Sequence, residues 1–191
     1  MLEDGEIIRR CQAGQTDLMD ILVDRHKTEL YTLCMRLTRN GTDADDLFQD
    51  TWVRAMKRLD SFSLKHGFKT WLFAICMNRY RDLYRWRRRW WRQMKRAGKQ
   101  THGEDDLTII ESQDPDPERL AISTEERVAV RIAVDKLEDS YRLPVLLHYF
   151  QGLSVAEIGV VLGIPQGTVK SRLHAGREKL RAALEGAGHG R

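Results

Sequence analysis

The chain has 191 residues, 41% of them hydrophobic and 31% charged, with a formal net charge of +4. That apolar fraction is enough for a core, in one domain or two, and the charged fraction predicts a soluble chain. No apolar run approaches the roughly 20 residues of a membrane-spanning helix, and so small a net charge means that nucleic-acid binding must be argued from where the charges lie.

The opening stretch MLEDGEIIRR is too acidic and polar for a signal peptide, so a cytoplasmic location is expected. Cys11, Cys34 and Cys76 are odd in number, far apart and outside any CxxC or Cys/His cluster, and read as reduced core thiols. The histidines are scattered, and no glycine-rich phosphate loop or nucleophile–base pattern is present. No metal, cofactor or catalytic residue is expected, and the chain is not expected to be an enzyme.

Strand patterns are nearly absent and segment after segment repeats with a period near 3.6, which predicts an all-α fold. In GQTDLMDILVDRHKTELYTLCMRLTRNGT a helix is expected to start at a Thr16 cap. Leu18, Ile21, Leu22, Leu30, Leu33, Cys34 and Leu37 form its core seam, and Asn40-Gly41 breaks it. TDADDLFQDTWVRAMKRLDSF restarts from a Thr42 cap, with an acidic first turn that suits the positive end of the helix dipole. Phe48, Trp52, Ala55 and Leu59 share its buried face, whereas Asp46, Gln49 and Asp50 fall on another. Taken singly, those carboxylates are an ordinary solvated surface. As a functional patch they would repel phosphate and fit a basic protein surface instead.

A polar loop, Ser61 to Gly67, leads into a long amphipathic helix with Leu72, Cys76, Tyr80, Leu83, Trp86 and Trp90 at helical spacing. From Arg79 onward it is dense in Arg and Lys, interleaved with Tyr84, Trp86, Trp90 and Trp91. Such a run offers phosphate contacts and aromatic planes on which an unpaired base can stack; a basic helix lying on anionic lipid or on another protein has the same signature. The stretch from Ala97 to Leu120 is rich in Gly, Asp and Pro and reads as a flexible linker. Helical periodicity resumes in TEERVAVRIAVDKLEDSYRLPVLLHYFQG, with interruptions expected at Asp139 to Leu143 and at Pro144.

The segment LSVAEIGVVLGIPQGTVKSRLHAG holds two helix patterns around a tight turn. Ser154 and Glu157 have capping-box spacing, Val155, Ile158, Val161 and Leu162 form an apolar stripe, and Gly163 is a helix stop. Pro165 suits the start of the next helix, whose stripe is Val169, Leu173, Leu180 and Leu184. Thr168, Lys170, Ser171, Arg172 and His174 lie off that stripe, and Gly167 leaves backbone N–H groups open to a phosphate. This is the pattern of a helix-turn-helix with a cationic recognition helix; the plainer reading is an αα-hairpin with a solvated basic face. The EGAGHGR tail is expected to fray. The expected organisation is a domain over 1–96, a flexible linker over 97–122, a second helical domain over 123–185 and a disordered tail over 186–191.

In this order the pieces resemble an extracytoplasmic-function sigma factor, the small two-domain group of the bacterial sigma-70 family. DADDLFQDTWVRAM is similar to that family's region 2.2, FKTWLFAICMNRYRDLYRWRRR to regions 2.3 and 2.4, and LPVLLHYFQGLSVAEIGVVLGIPQGTVKSRLHAGREKL to region 4. The resemblance implies a region 2 helical bundle that binds the clamp helices of the polymerase β′ subunit through Asp46, Gln49 and Asp50, and that recognises and melts the minus-ten element. It implies that Ser61, Ser63 and Lys65 belong to a loop that pockets a flipped-out promoter base, with Lys69 and Asn78 beside it. Flipping costs a few kcal/mol of unstacking, which a shaped pocket and neighbouring cations offset. Arg79, Arg81, Arg85, Arg87 and Arg88 would hold phosphates around the melted segment.

Region 4 would read the minus-thirty-five element with Gln166, Gly167, Thr168, Lys170, Ser171, Arg172, His174 and Arg177, and would touch the flap of the β subunit. The implied partners are core RNA polymerase, promoter DNA and an anti-sigma factor that holds the protein inactive, often at the membrane, with no small-molecule substrate and no membrane insertion of the chain itself. The chain departs from the family where NRYRDLYRW replaces a frequent Asn-Leu-x-x-Asp run, and in its RRRWW extension. A stand-alone helix-turn-helix regulator, a sequence-blind RNA or nucleoid binder and a membrane-attached basic helix are the competing readings of the residues alone.

Overall fold

A computed structural model describes residues 2–96 and 124–186. The expected linker, and the tail beyond Gly186, lie outside the described residues. The chain divides into two compact units, one within Met1–Ile110 and one within Glu111–Arg191. Every regular element among the described residues is helical, and no described helix is long and apolar enough to cross a membrane.

The first unit is a bundle of α1 (Asp4–Gln12), α2 (Met19–Thr38), α3 (Gly41–Arg58) and α4 (Phe68–Arg96). Helices α2, α3 and α4 pack on one another, and α1 lies against α2. Helix α1 was not expected from the sequence, although Asp4 and Glu6 in its first turn and Arg9 and Arg10 in its last complement the helix dipole, and Ile7, Ile8 and Cys11 are its buried face. The core is built on Leu22, Leu30, Leu33, Leu47, Leu72, Phe73 and Met77, all fully buried. Each such side chain contributes about 1.5–3 kcal/mol on leaving water. Cys11, Cys34 and Cys76 are buried free thiols, as expected, and the last two lie 3.8 Å apart, sulfur to sulfur.

Two expected caps move. Thr16 opens a short 3₁₀ turn, Thr16–Leu18, whose first carbonyl accepts from the Met19 N–H, and its side chain caps nothing. Helix α3 is capped by Asn40 and not by Thr42: Arg39 turns left-handed at φ 58° and swings Asn40 into extended conformation, where its side-chain oxygen accepts from the Asp43 N–H at 3.1 Å. Phe48, expected in the core, is only half-buried, because it packs edge-on between Tyr31 and Trp52 at the margin of the α2–α3 contact. Leu83 is likewise only half-buried.

In the second unit α5 (Thr124–Lys136), α6 (Asp139–Val145) and α7 (Val155–Leu162) all pack on α8 (Gln166–Gly186). The interruption expected at Asp139 to Leu143 is instead the body of α6. Its polar residues are a helix start: the N–H groups of Tyr141 and Arg142 bond to the Glu138 carbonyl at 2.9 and 2.8 Å. Pro144 sits inside α6, where it removes one helical N–H donor, and the chain then widens into a π turn, Leu146–Phe150. Arg142 is 2% exposed and pairs with Asp139 at 2.9 Å, so its charge is buried with a partner. At Gly176 an added Cβ would meet Val145 Cγ2 at 3.0 Å, which is why α6 and α8 can approach so closely there.

Candidate nucleic-acid and protein interfaces

On α3, Asp46 and Gln49 are exposed and Asp50 is half-buried. At 100° per residue the three share one face of the helix. That face continues through two residues not singled out from the sequence, Val53 at 42% and Met56 at 50% exposure. The signal was legible in the i, i+3, i+4, i+7 spacing of Asp46, Gln49, Asp50 and Val53, but an isolated exposed apolar residue is commonplace until a structure shows it beside a charged stripe. Above this face the Tyr31 hydroxyl donates to Asp45 at 3.0 Å. That hydrogen bond, followed by partial burial, raises the Tyr31 pKa above its ordinary value.

The loop between α3 and α4 is held at both ends. Phe62 and Phe68 are 8% and 3% exposed and pack on Trp71, edge-on and tilted, with ring centroids 5.1 and 5.6 Å away, and Phe68 also meets Trp52 and His26. Gln12 of α1 donates to the Leu59 carbonyl at 2.8 Å. Gly67 closes the loop at φ 60°, a conformation glycine takes without a Cβ penalty. Ser61, Ser63, Lys65 and His66 are thereby left exposed on an anchored loop. The Ser61 hydroxyl is already committed to the Arg58 carbonyl at 2.7 Å.

Along α4, Asn78 is exposed, while Lys69, Arg79 and Arg81 are half-buried. Lys69 pairs with Glu29 of α2 at 2.9 Å, and Arg79 pairs with Asp50 of α3. Tyr84 is 47% exposed and stacks on Tyr80. The backbone of α4 runs to Arg96, but the side chains of Arg85, Arg87, Arg88, Trp86, Trp90 and Trp91 lie outside the described residues.

The network beneath the loop is electrostatic. Asp4 accepts from Arg25 and contacts His26, each at 2.7 Å. Partial burial opposes ionisation of Asp4, yet the hydrogen bonds from Arg25 and His26 outweigh it and hold the carboxyl below its ordinary value. The Cys34 thiol is pushed far up, first by its hydrogen bond to Cys76 and then by burial.

In the second unit the capping box forms as the sequence predicts, with Ser154 N–H donating to Glu157 at 2.8 Å and Glu157 N–H to Ser154 Oγ at 3.3 Å. Gly163 ends α7 at φ 65°, and the Ile164 N–H returns to the Gly159 carbonyl at 3.0 Å, making the tight turn. Val169 and Leu173 bury one side of α8. Gln166, Gly167, Lys170, Ser171, His174 and Arg177 form an exposed strip on it, and Thr168 and Arg172 are half-buried on the opposite flank. Leu180 and Leu184 are half-buried, so the expected apolar stripe weakens toward the helix end. Ser171 Oγ donates to the Thr168 carbonyl at 3.0 Å. A cationic strip on the second helix of a tight helix-turn-helix can enter a major groove, and its mix of Lys, Arg, His, Gln and hydroxyl groups can serve phosphates and base edges alike.

Residues 22–92 match the family Sigma-70 region 2, and residues 127–180 match Sigma-70, region 4. The chain is 35% identical over 178 residues to the ECF RNA polymerase sigma factor SigW of Bacillus subtilis, covering 93% of this chain and 94% of that protein. It is 34% identical over 186 residues to the RNA polymerase sigma factor CnrH of Cupriavidus metallidurans, covering 96% of each. The solved structure of CnrH in complex with the cytosolic domain of CnrY is similar to it with a TM-score of 0.67 at 27% identity, covering 96% of this chain and 97% of that one.

Proposed function

This chain belongs to the extracytoplasmic-function group of the sigma-70 family of RNA polymerase sigma factors, and we propose that it docks on core polymerase through α3 and reads promoters through the loop after α3, through α4 and through α8. Sigma factors are transcription initiation factors and not enzymes, so the chemistry required of these surfaces is recognition. The observation that carries the assignment of surfaces is the segregation of charge: Asp46, Gln49 and Asp50 with Val53 and Met56 on α3, cations on α4 and α8.

An acidic face around exposed apolar residues suits the basic β′ clamp helices, because charge steers the encounter and the apolar centre supplies contact area. The anchored loop with Ser61, Ser63 and Lys65 suits a flipped minus-ten base, and Lys69, Asn78, Arg79 and Arg81 suit the adjoining strand. Helix α8 suits the minus-thirty-five element, with its unit also meeting the β flap. The domains are proposed as 1–96 and 123–185. Control by an anti-sigma factor is supported by the likeness to CnrH, solved with the cytosolic domain of CnrY; the proposal places this protein in the cytoplasm, with an anti-sigma factor able to hold it at the membrane.

The test is in vitro transcription with species-matched core polymerase, the full chain and fragmented genomic DNA, with sequencing of transcript 5′ ends. Discrete start sites that share two spaced upstream elements are expected. No new start site above a core-only control would overturn the proposal.

A further inference from the structure

We propose that the Asp50–Arg79 ion pair is a latch that keeps Arg79 from promoter phosphates until the acidic face of α3 docks on a basic protein surface. The inference rests on the assignment of α3 to polymerase and α4 to DNA, and it starts from one fact: a side chain assigned to each partner is engaged with the other. Asp50 Oδ2 and the Arg79 guanidinium meet across the α3–α4 contact, with 37% and 27% of their side chains exposed. About 15 Å along α4 from Arg79, by its rise per residue, Lys69 is held in the same manner by Glu29. Two cations on the DNA-facing helix are therefore paired with acids of neighbouring helices.

Asp50 engages the Nε edge of Arg79, so a phosphate at the remaining guanidinium N–H groups competes with the carboxylate for the same charge, and a cation approaching Asp50 competes with the guanidinium. The two events are linked, and linkage is reciprocal: whatever binds Asp50 makes Arg79 more available by the same factor that phosphate at Arg79 makes Asp50 more available. A partly exposed pair is weakly held, so it can exchange partners. Both side chains reach solvent although the Arg79 Nε that meets Asp50 is itself buried, whereas in the Arg142–Asp139 pair of the second unit Arg142 has only 3% side-chain exposure. Asp50 thus acts on DNA only through Arg79, and Arg79 acts on polymerase only through Asp50.

The experiment uses the full chain without polymerase and a labelled oligodeoxythymidine, with binding followed by fluorescence anisotropy across a salt series. Asp50→Asn is expected to raise affinity several-fold near 0.1 M salt and to steepen the log–log salt slope by about 0.7, the increment for one further phosphate on a single strand. Asp50→Glu restores wild-type behaviour, and Asp50→Asn with Arg79→Ala shows no steepening. Arg79→Ala in the otherwise wild-type free chain leaves the slope nearly unchanged, a result that does not depend on how the Asp50 variants fold. Once core polymerase is bound, the same Arg79→Ala substitution lowers the slope on promoter fork DNA. An unchanged slope in a folded Asp50→Asn chain, checked by thermal melting, or a full one-phosphate loss from Arg79→Ala in the free wild-type chain, overturns the latch. Failure to bind polymerase at all would instead overturn the assignment of α3, and the free-chain arm would still decide the latch.

Discussion

Replacing Asp46 by Lys tests the polymerase-docking face more cleanly than any change at Asp50, because Asp50 is tied to Arg79 and its reversal would disturb two surfaces at once. Asp46 is exposed on the same face, so its mutation acts on the encounter with little effect on folding. Two unit charges about 5 Å apart attract by about 0.8 kcal/mol under water-like screening. Neutralising Asp46 to Asn forfeits that amount, about fourfold in Kd, and reversal to Lys forfeits about twice as much, about fifteenfold. Partial desolvation in the docked complex would enlarge both figures, and added salt would shrink both. The assay is equilibrium binding of a labelled chain to core polymerase at two salt concentrations. The reasoning fails if Asp46→Lys binds as the wild type does at low salt. It fails equally if Asp46→Asn costs as much as Asp46→Lys, since the loss would then come from packing and not from charge.

Ser154→Ala removes the side-chain half of the capping box and is expected to cost about 1 kcal/mol; for a unit of this size that lowers the melting transition by about 4–8 °C, which differential scanning calorimetry resolves. The acid limb of stability is expected to carry the signature of Asp4, whose folded pKa lies below its unfolded value. Its contribution is complete above the unfolded pKa and is lost as pH falls through the folded one, so Asp4→Asn should flatten the stability-versus-pH curve below about pH 4 in denaturant melts; an unchanged curve would refute the role. Cys34 and Cys76, buried and with the Cys34 thiol held protonated, should react with a chromogenic disulfide reagent only as the chain unfolds, so that modification tracks the unfolding rate; rapid labelling of the native protein would contradict the packing of α2 on α4.

Most of what the sequence determined is local. The capping box at Ser154 and Glu157, the left-handed stop at Gly163 and the buried positions Val169 and Leu173 follow from interactions within a few residues, so spacing alone locates the helix-turn-helix. The face carrying Asp46, Gln49 and Asp50 was legible for the same reason: helical periodicity fixes which residues lie together on one helix. What depended on neighbouring elements was not. The cap of α3 goes to Asn40 because Arg39 turns left-handed, a choice between two polar residues either side of Gly41 that composition does not make. The interruption expected at Asp139 to Leu143 and Pro144 is a helix, since the packing of α6 on α8 outweighs the proline inside it. Only the tertiary structure could bring Asp50 to Arg79 and Glu29 to Lys69, because pairs separated by tens of residues meet through the crossing of helices, and no periodicity within one helix encodes its contacts with another.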